Sequence, residues 1–252
     1  RQMCIRDRFK GETPELELTR TDANGTPVTV KYQAVVKEVV PRGTDATSTG
    51  PQGVPQTGSP SFQGGDPLVP IDMDSPMTFD DGQPKKTVPG VGVYTINSDG
   101  SITFTPDKRY VGTPVPVTVK RVDKNGTEVT ATYTPTVTRV TPTSTNAEST
   151  GIQGQPQSGK PTFSPGDQAV PIDMTKPMTF ENGTDTLVVA NQGTYTINSD
   201  GSITFQPVKQ FTGKATPVTV KRVDANGIEI TATYTPTVTK VIPTSTNAAV
   251  SY

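Results

Sequence analysis

The chain of 252 residues contains no His, no Trp and one Cys, and its 23 Lys and Arg nearly balance its 24 Asp and Glu. The absence of His excludes a Ser-His-Asp or Cys-His nucleophile and any His-ligated metal. A single Cys excludes a disulfide framework or a thiolate zinc site. The net charge of -1 provides no electrostatic attraction toward nucleic acid or an anionic membrane. Neither partner is expected, nor is a cofactor.

The apolar residues are mostly β-branched. There are 29 Val and 11 Ile against 4 Leu, with 44 Thr beside them. Such side chains lose χ1 freedom in helices and pack well on pleated sheets, so the composition predicts an all-β fold with almost no helix. The 25 Pro and 23 Gly indicate many turns and loops between the strands.

A repeat of 101 residues organises the chain. The motif Asp-x-Asn-Gly occurs at 22–25, 123–126 and 224–227, and no gap is needed to align 46–146 with 147–247. This period is far longer than the roughly 20–50 residues of solenoid repeats and matches a domain that buries its own core. The sequence therefore predicts tandem domains joined by short Pro/Thr-rich linkers.

The period divides the chain into five segments. Residues 46–146 and 147–247 are predicted to be complete repeats, and 9–45 the C-terminal remnant of a preceding repeat plus its linker. Residues 248–252 are interpreted as the start of a next repeat. Residues 1–8, which hold the one cysteine, break the repeat pattern and resemble translated adaptor sequence, so we expect a non-native leader. The chain is therefore expected to be an internal fragment.

The first part of a repeat shows neither a strand period nor a helix period. Residues 50–58 are rich in Pro, Gly and Gln, and we interpret them as an extended strap, partly polyproline II. The strap is predicted to lead, through residues 70–73, to a short strand around Met77 and Phe79.

Apolar residues alternate on both sides of a Ser-Asp-Gly sequence over residues 94–104, which predicts a β-hairpin. Gly100 supplies the positive φ that its turn needs, and Asn97 and Asp99 are expected to bond the local backbone. The oxygens of Asn97, Asp99 and Ser101 also raise the hypothesis of a calcium site. Calcium needs about six to eight oxygens and usually several carboxylates, so a plain turn is favoured.

A second hairpin is predicted across the Asp-Lys-Asn-Gly turn. The expected inward residues are Val115, Val117 and Val119 on its first strand and Val129, Ala131, Tyr133 and Val137 on its second. Because Pro135 cannot donate to a ladder, the second strand is predicted to be an edge strand or to bulge there. About seven short strands per repeat predict an all-β fold of tandem Ig-like β-sandwich domains, each of about 100 residues, with Pro/Gly-rich loops.

Four motifs of the repeat support a family resemblance. They are Ser-Thr-Gly-Pro-Gln-Gly-Val-Pro-Gln at 48–56, the hairpin at 94–106, Asp-Lys-Asn-Gly-Thr at 123–127 and Ala-Thr-Tyr-Thr-Pro at 131–135. Together they resemble the CshA-type fibril repeat of Gram-positive, streptococcal surface adhesins, over residues 9–252.

The resemblance implies tandem domains of an extracellular, cell-wall-anchored fibril on the bacterial surface. It implies neighbouring repeats of the same chain as partners, with a C-terminal sorting signal joined to peptidoglycan. A host extracellular-matrix protein such as fibronectin would be bound by a separate N-terminal region that is absent from this chain.

The sequence raises three hypotheses of function. The favoured hypothesis is a structural stalk or spacer repeat with no enzymatic activity. The alternative is that each repeat is itself a host-protein or carbohydrate-binding module, against which the lack of Trp and the 6% aromatic content leave few stacking surfaces. A third is a two-carboxylate enzyme. Its candidate carboxylates are Asp72 and Asp99, recurring as Asp173 and Asp200, and each lies in turn sequence. No catalytic, cofactor-binding or metal residue is assigned.

A covalent cross-link is a separate hypothesis, because Gram-positive surface domains often contain Lys-Asn or Lys-Asp isopeptide bonds formed beside a buried carboxylate. The candidate sets are Lys120, Asn125 and Glu128, and Lys221, Asn226 and Glu229. Lys120 lies on the polar side of its predicted strand, so a solvated strand face and a hairpin turn are favoured.

Overall fold

The computed structural model describes residues 9–247, which are built from β-strands joined by turns. The predicted leader 1–8, with Cys4, and the predicted next repeat at 248–252 lie outside the described residues. Within the described part, no helix has the length and hydropathy to cross a membrane. The all-β prediction is confirmed.

The described residues fall into two compact units. The first consists of residues up to 50 together with 55–105 and 112–136, and the second of 51–54, 106–111 and the residues from 137 onward.

The strands up to residue 138 are β1 (Gly11–Glu12), β2 (Leu16–Thr21), β3 (Pro27–Tyr32), β4 (Val35–Val36), β5 (Arg42–Thr44), β6 (Ala46–Pro51), β7 (Gln56–Gly58), β8 (Ser61–Gln63), β9 (Thr78–Phe79), β10 (Lys85–Val88), β11 (Gly92–Ile96), β12 (Ile102–Pro106), β13 (Val117–Val122) and β14 (Glu128–Thr138). Those that follow are β15 (Thr143–Thr145), β16 (Ala147–Ile152), β17 (Gln157–Gly159), β18 (Thr162–Ser164), β19 (Thr179–Phe180), β20 (Thr186–Val189), β21 (Gly193–Ile197), β22 (Ile203–Pro207), β23 (Gly213–Lys214), β24 (Val218–Val223) and β25 (Glu229–Thr239).

Each repeat contains two sheets. In the first repeat the strand orders are β6-β14-β13-β9 and β10-β11-β12-β7, and in the second they are β16-β25-β24-β19 and β17-β22-β21-β20, with β23 also paired to β25. Two short ribbons, β5-β8 and β15-β18, join each linker to the repeat that follows it. Eight strands therefore form the first Ig-like sandwich and nine form the second, against the seven or so expected, and the predicted fold class is confirmed.

Aromatic side chains fill the space between the sheets. In the first repeat Tyr94 stacks on Phe104 with ring centroids 4.5 Å apart, and its edge meets Tyr133 of the opposite sheet at 6.2 Å. All three rings are fully buried. Such pairs contribute about 0.5–1.5 kcal/mol beyond the burial of their area. The second repeat has the same arrangement.

Both predicted hairpins are present. In the first, Gly100 has a φ of 84° and its amide donates to the Asn97 carbonyl at 3.0 Å, as the turn chemistry requires. In the second, β13 and β14 pair antiparallel, with Val119 opposite Ala131. The predicted inward residues of β13 and β14 are buried. The prediction for Val115 is wrong: it precedes β13 and is 84% exposed, because Pro116 follows it and supplies no amide to a ladder.

The expectation for Pro135 is wrong as well. β14 is an inner strand, and inward and outward residues alternate through Pro135, which is itself buried. The second repeat shows why a proline is tolerated there. Pairing with β24 ends at Tyr234 and pairing with β23 begins at Thr237, so Pro236 lies where the neighbour changes and no amide is needed on that side.

The predicted polyproline strap over residues 50–58 is wrong, because these residues belong to two strands and the turn between them. β6 joins one sheet and β7 the other, so the chain crosses between the sheets at 52–55. Gly53, at a φ of 78°, makes the turn between them. These strands lack an alternating pattern because small and polar residues suffice at the sheet edges, while Pro and Gly are needed for the crossing.

The hairpin β2–β3 gives a first test of these assignments. Its Leu18 is 61% exposed, whereas the equivalent Val119 is fully buried. Because openings of an uncovered hairpin cost little free energy, we expect the amides of Leu18 and Val30 to exchange at least ~100-fold faster than those of Val119 and Ala131. Hydrogen exchange read by NMR measures this ratio. Equal protection would contradict the proposal that 9–45 is a remnant outside the complete repeats.

Candidate functional sites

The turn at Asn97–Ser101 uses its polar groups within itself. The Asp99 Oδ1 accepts hydrogen bonds from the Ser101 amide at 2.9 Å and the Ser101 hydroxyl at 2.6 Å. The side-chain Nδ2 of Asn97 donates to Ser101 Oγ at 2.8 Å and to Thr103 Oγ1 at 2.9 Å. The Ser101 hydroxyl, followed by its amide, lowers the pKa of Asp99. Asp200 has the same bonds in the second repeat. These contacts are those of the favoured plain turn, and nowhere in residues 9–247 do three metal-ligating side chains gather.

The two candidate carboxylates bond to different partners. Asp72 pairs with Lys124 and accepts from the Ser75 hydroxyl at 2.8 Å, and the Lys124 ammonium is the main cause of its lowered pKa. The pKa of Asp99 is lowered too, whereas a two-carboxylate hydrolase requires one carboxyl with a raised pKa. In the second repeat Ala225 stands where Lys124 is, and Asp173 accepts from the Thr175 hydroxyl at 2.5 Å instead.

Of the cross-link candidates, the structure brings Lys and Glu together across each hairpin. Lys120 Nζ lies 3.6 Å from Glu128 Oε2, and Lys221 Nζ lies 3.5 Å from Glu229 Oε2. Each Lys side chain is about one-third exposed. The Asn of each set is placed in the turn, where its backbone amide donates to the preceding Asp Oδ1 at 2.9 Å in both repeats.

An intact-mass measurement tests the cross-link. Because an isopeptide bond between Lys and Asn releases ammonia, a chain cross-linked at these candidates would be lighter by one ammonia per repeat. We expect the full sequence mass. Each Lys side chain is partly exposed to solvent and pairs with a Glu, and it is not buried against the side-chain amide of the candidate Asn. A deficit of one ammonia or two would show that the bond forms.

A buried carboxylate is the feature that the sequence analysis missed. Asp123 and Asp224 begin the two Asp-x-Asn-Gly turns and are each only 1% exposed. Asp123 Oδ1 accepts from the Asn125 and Thr127 amides at 2.9 and 2.8 Å, while Oδ2 is buried with no hydrogen-bond partner among the described residues. The signal for it in the sequence is the recurrence of Asp at the start of all three copies of the motif.

Substituting Asp123 measures what this turn contributes. Asp123→Ala removes a buried acceptor that receives two partly buried hydrogen bonds, so we expect the first repeat to lose about 1–3 kcal/mol of unfolding free energy. Asp123→Asn keeps one acceptor oxygen and should lose less. Asp22 makes the same two bonds in an exposed hairpin, and Asp22→Ala is therefore the matched control, with no effect on either complete repeat. Equal effects of Asp123→Ala and Asp22→Ala in chemical denaturation would contradict this assignment.

A shallow groove recurs at the same place in both repeats. In the first it is formed by Phe62, Ile71, Met73 and Met77, with Arg121 at its edge, and its volume is about 170 Å³. The equivalent groove of the second repeat has a volume of about 280 Å³. Met73 and its equivalent are both 71% exposed. Three separate segments supply these residues, so the sequence did not reveal the groove.

Comparisons with known proteins identify what the repeats are similar to. The family described as "Surface adhesin CshA repetitive domain" matches residues 38–137 and 139–238. Comparison with curated proteins gave no match.

Among solved structures, repeat domain 13 of the fibrillar adhesin CshA from Streptococcus gordonii is 70% identical, over 29% of this chain and 94% of that one, with a TM-score of 0.18. The titin I9-I11 tandem is 11% identical over 90% and 74% of the two chains, with a TM-score of 0.33. Mouse cadherin-23 EC22-24 is 13% identical over 90% and 74%, with a TM-score of 0.34. These TM-scores are low, so family membership rests on the match of sequence.

Proposed function

The chain belongs to the family of the surface adhesin CshA repetitive domain, repeats of an adhesin at the cell surface, and we propose that it is the stalk of that adhesin. In this role the repeats are spacers that project a separate ligand-binding region from the surface, and they perform no catalysis. In the parent protein, the stalk is anchored to peptidoglycan.

The observation that carries this proposal is the pairing of the first strand of a repeat with its last. β16 and β25 run parallel, with Ala147 opposite Tyr234 at one end and Ile152 opposite Thr239 at the other. The first repeat has the equivalent arrangement. Its β6 and β14 are neighbours, and the Gln52 amide donates to the Thr138 carbonyl at 2.8 Å.

Parallel pairing of the terminal strands resists stretching. Tension on the two ends of a repeat draws β16 from its N-terminal end and β25 from its C-terminal end. The strands must then slide along one another, so the hydrogen bonds between them bear the load together rather than one at a time. Each such bond is worth about 1 kcal/mol, and rupturing several at once makes forced unfolding slow. A stalk under shear from its environment requires this property.

Force spectroscopy on the full chain, held at its ends, tests the stalk. The Gln153 amide donates to the Thr239 carbonyl of β25. Along a strand every second amide points to the same neighbour, so the Ser149 amide, four residues earlier, also faces β25. Ser149→Pro removes that bond. We expect forced unfolding of the second repeat to become at least ~10-fold faster, while the first repeat in the same molecule is unchanged.

Ser149→Ala is the matched control. Its hydroxyl bonds to Gln157 Oε1 and Tyr234 are lost while its backbone amide remains, so forced unfolding should change far less than with proline. Equal forces for both repeats in the proline variant, or low forces throughout the wild-type chain, would remove the support that the strand pairing gives to the stalk.

The adhesive-module alternative has the recurring groove as its one specific observation. Each groove offers an exposed Met above buried apolar residues, which is a surface on which another chain could dock. The groove is small, however, and the strand alternation leaves Thr, Lys and Glu on the exposed faces, where the charges are of both signs.

Surface plasmon resonance separates the two functions. Immobilised fibronectin should bind the full chain weakly or not at all, because the stalk carries no ligand site. Saturable sub-micromolar binding that is abolished by Met73→Asp together with Met174→Asp would instead favour the adhesive module.

A further inference from the structure

Two loops that follow strands of the first repeat belong to the second compact unit. They are residues 51–54, which lead from the end of β6 toward β7, and residues 106–111, which follow β12. Within that unit both loops contact the Asp-x-Asn-Gly turn that connects β24 to β25. The sequence repeat and the compact unit therefore have different boundaries.

A buried hydrogen bond lies at the centre of this contact. The side-chain Nδ2 of Asn226 donates to the Gln52 carbonyl at 2.8 Å, and the two residues are only 7% and 3% exposed. Gly53 leaves the space for it, since a Cβ at that position would lie 1.9 Å from Asn226 Oδ1. A buried polar group that loses its partner costs free energy, so the bond favours this one arrangement of the loop on the turn.

Two basic side chains flank the buried bond. Lys108 Nζ donates to the Ala225 carbonyl at 2.9 Å, and Arg109 Nη2 donates to the Gly227 carbonyl at 3.4 Å. Together with Asn226, these contacts engage three consecutive residues of the turn. The loops are therefore held by directional bonds at fixed positions and not by a diffuse attraction between charges.

The side chain of Asn226 forms its bond outside its own turn. Within the turn, Asp224 Oδ1 accepts from the backbone amides of Asn226 and Ile228 at 2.9 and 2.8 Å, and Gly227 adopts a φ of 76°. Asp and Gly therefore suffice to shape the turn. An Asn nevertheless recurs in all three copies of the motif, at 24, 125 and 226. A bond to an outside carbonyl gives this recurring side chain a role.

The surface that receives the Asn side chain is preformed. We call Gln52 and Gly53 the platform. Gln52 Nε2 donates to the Lys108 carbonyl at 2.9 Å, and Gln52 Oε1 accepts from the Val140 amide at 3.4 Å, which ties the two loops together. Gln153 makes the equivalent two bonds in the second repeat, at 3.0 and 3.2 Å. Each complete repeat therefore has both a platform and an Asp-x-Asn-Gly turn.

We propose that the Asp-x-Asn-Gly turn is a docking site for the platform of the repeat that precedes it in the chain, with the Asn side chain as the central contact. The partner is another repeat of the same family, recognised by a backbone carbonyl next to a Gly. Any larger residue in place of Gly53 would clash with the Asn, so the Gly sets the specificity. Because turn and platform are different surfaces, the contact is heterologous and can recur along a series of repeats.

Hydrogen exchange of the full chain, read by NMR, tests the docking site. The Val54 amide donates to the Pro51 carbonyl at 3.1 Å, and the Gln155 amide makes the equivalent bond to the Ile152 carbonyl in the second repeat. We expect Asn226→Ala to speed exchange of the Val54 amide at least ~5-fold, because the loop loses a buried bond. Exchange of the Gln155 amide should stay unchanged.

Asn125→Ala is the matched control for the turn. It removes the same side chain from the equivalent turn of the first repeat, where the residue is exposed, so exchange of the Val54 amide should be unchanged. Asn226→Asp keeps the size of the side chain but places a carboxylate, which cannot donate, against the Gln52 carbonyl. It should speed exchange of the Val54 amide as Asn226→Ala does.

A pair of glycine variants tests the platform. Gly53 and Gly154 have φ values of 78° and 76°, so an alanine causes the same backbone strain at both positions. A Cβ at 53 would clash with Asn226, whereas one at 154 would have no atom of the described residues within 4 Å. We expect Gly53→Ala to speed exchange of the Asn226 side-chain amide at least ~10-fold, and Gly154→Ala to leave it unchanged.

Three results would overturn the proposal. They are unchanged exchange of the Val54 amide in Asn226→Ala, an equal increase in Asn125→Ala, and equal effects of Gly53→Ala and Gly154→Ala on the Asn226 side chain. Neither tension nor a host ligand enters these measurements, so their outcome is independent of the stalk function.

Discussion

Everything in a complete repeat depends on the contact between its first strand and its last. This pairing joins residues that are 87 positions apart in the second repeat, as Ala147 opposite Tyr234 shows. Once β16 lies beside β25, the following crossover delivers β17 to the opposite sheet, and the aromatic core is enclosed between two layers. The ordering entropy of a loop of this length grows only slowly with its size, so one such closure is affordable for a domain of about 100 residues.

A small polar network holds that crossover in register. The Ser48 hydroxyl bonds to Gln56 Oε1 at 2.5 Å and to the Tyr133 phenol at 2.6 Å, and Gln56 Nε2 donates to the Thr136 carbonyl at 3.1 Å. Burial, opposed by the Ser48 bond, raises the pKa of Tyr133, so the phenol stays neutral. The network recurs in the second repeat. A chain with few large apolar residues thus specifies its strand pairing partly through satisfied buried polar groups.

What could be predicted from the sequence was what is encoded locally. The hairpin over residues 94–104 follows from alternating apolar residues around a Gly turn, and its geometry agrees in detail. The strands β6 and β7 were missed because their partners lie far along the chain and their own residues show no period. Pro135 was misjudged because one residue cannot reveal that its strand changes neighbour at that point. Burial of Asp123 is likewise set by the loop at Ile71, which bridges to it from a distant segment.

A stretched repeat loses the neighbour of its last strand first. Sliding of β16 away from β25 uncovers the outer edge of β25, which β16 otherwise pairs over residues 234–239. An unpaired strand edge is a template for pairing with another chain. The pairing that makes the repeat strong in shear is thus also the one whose loss exposes an open strand edge to neighbouring chains.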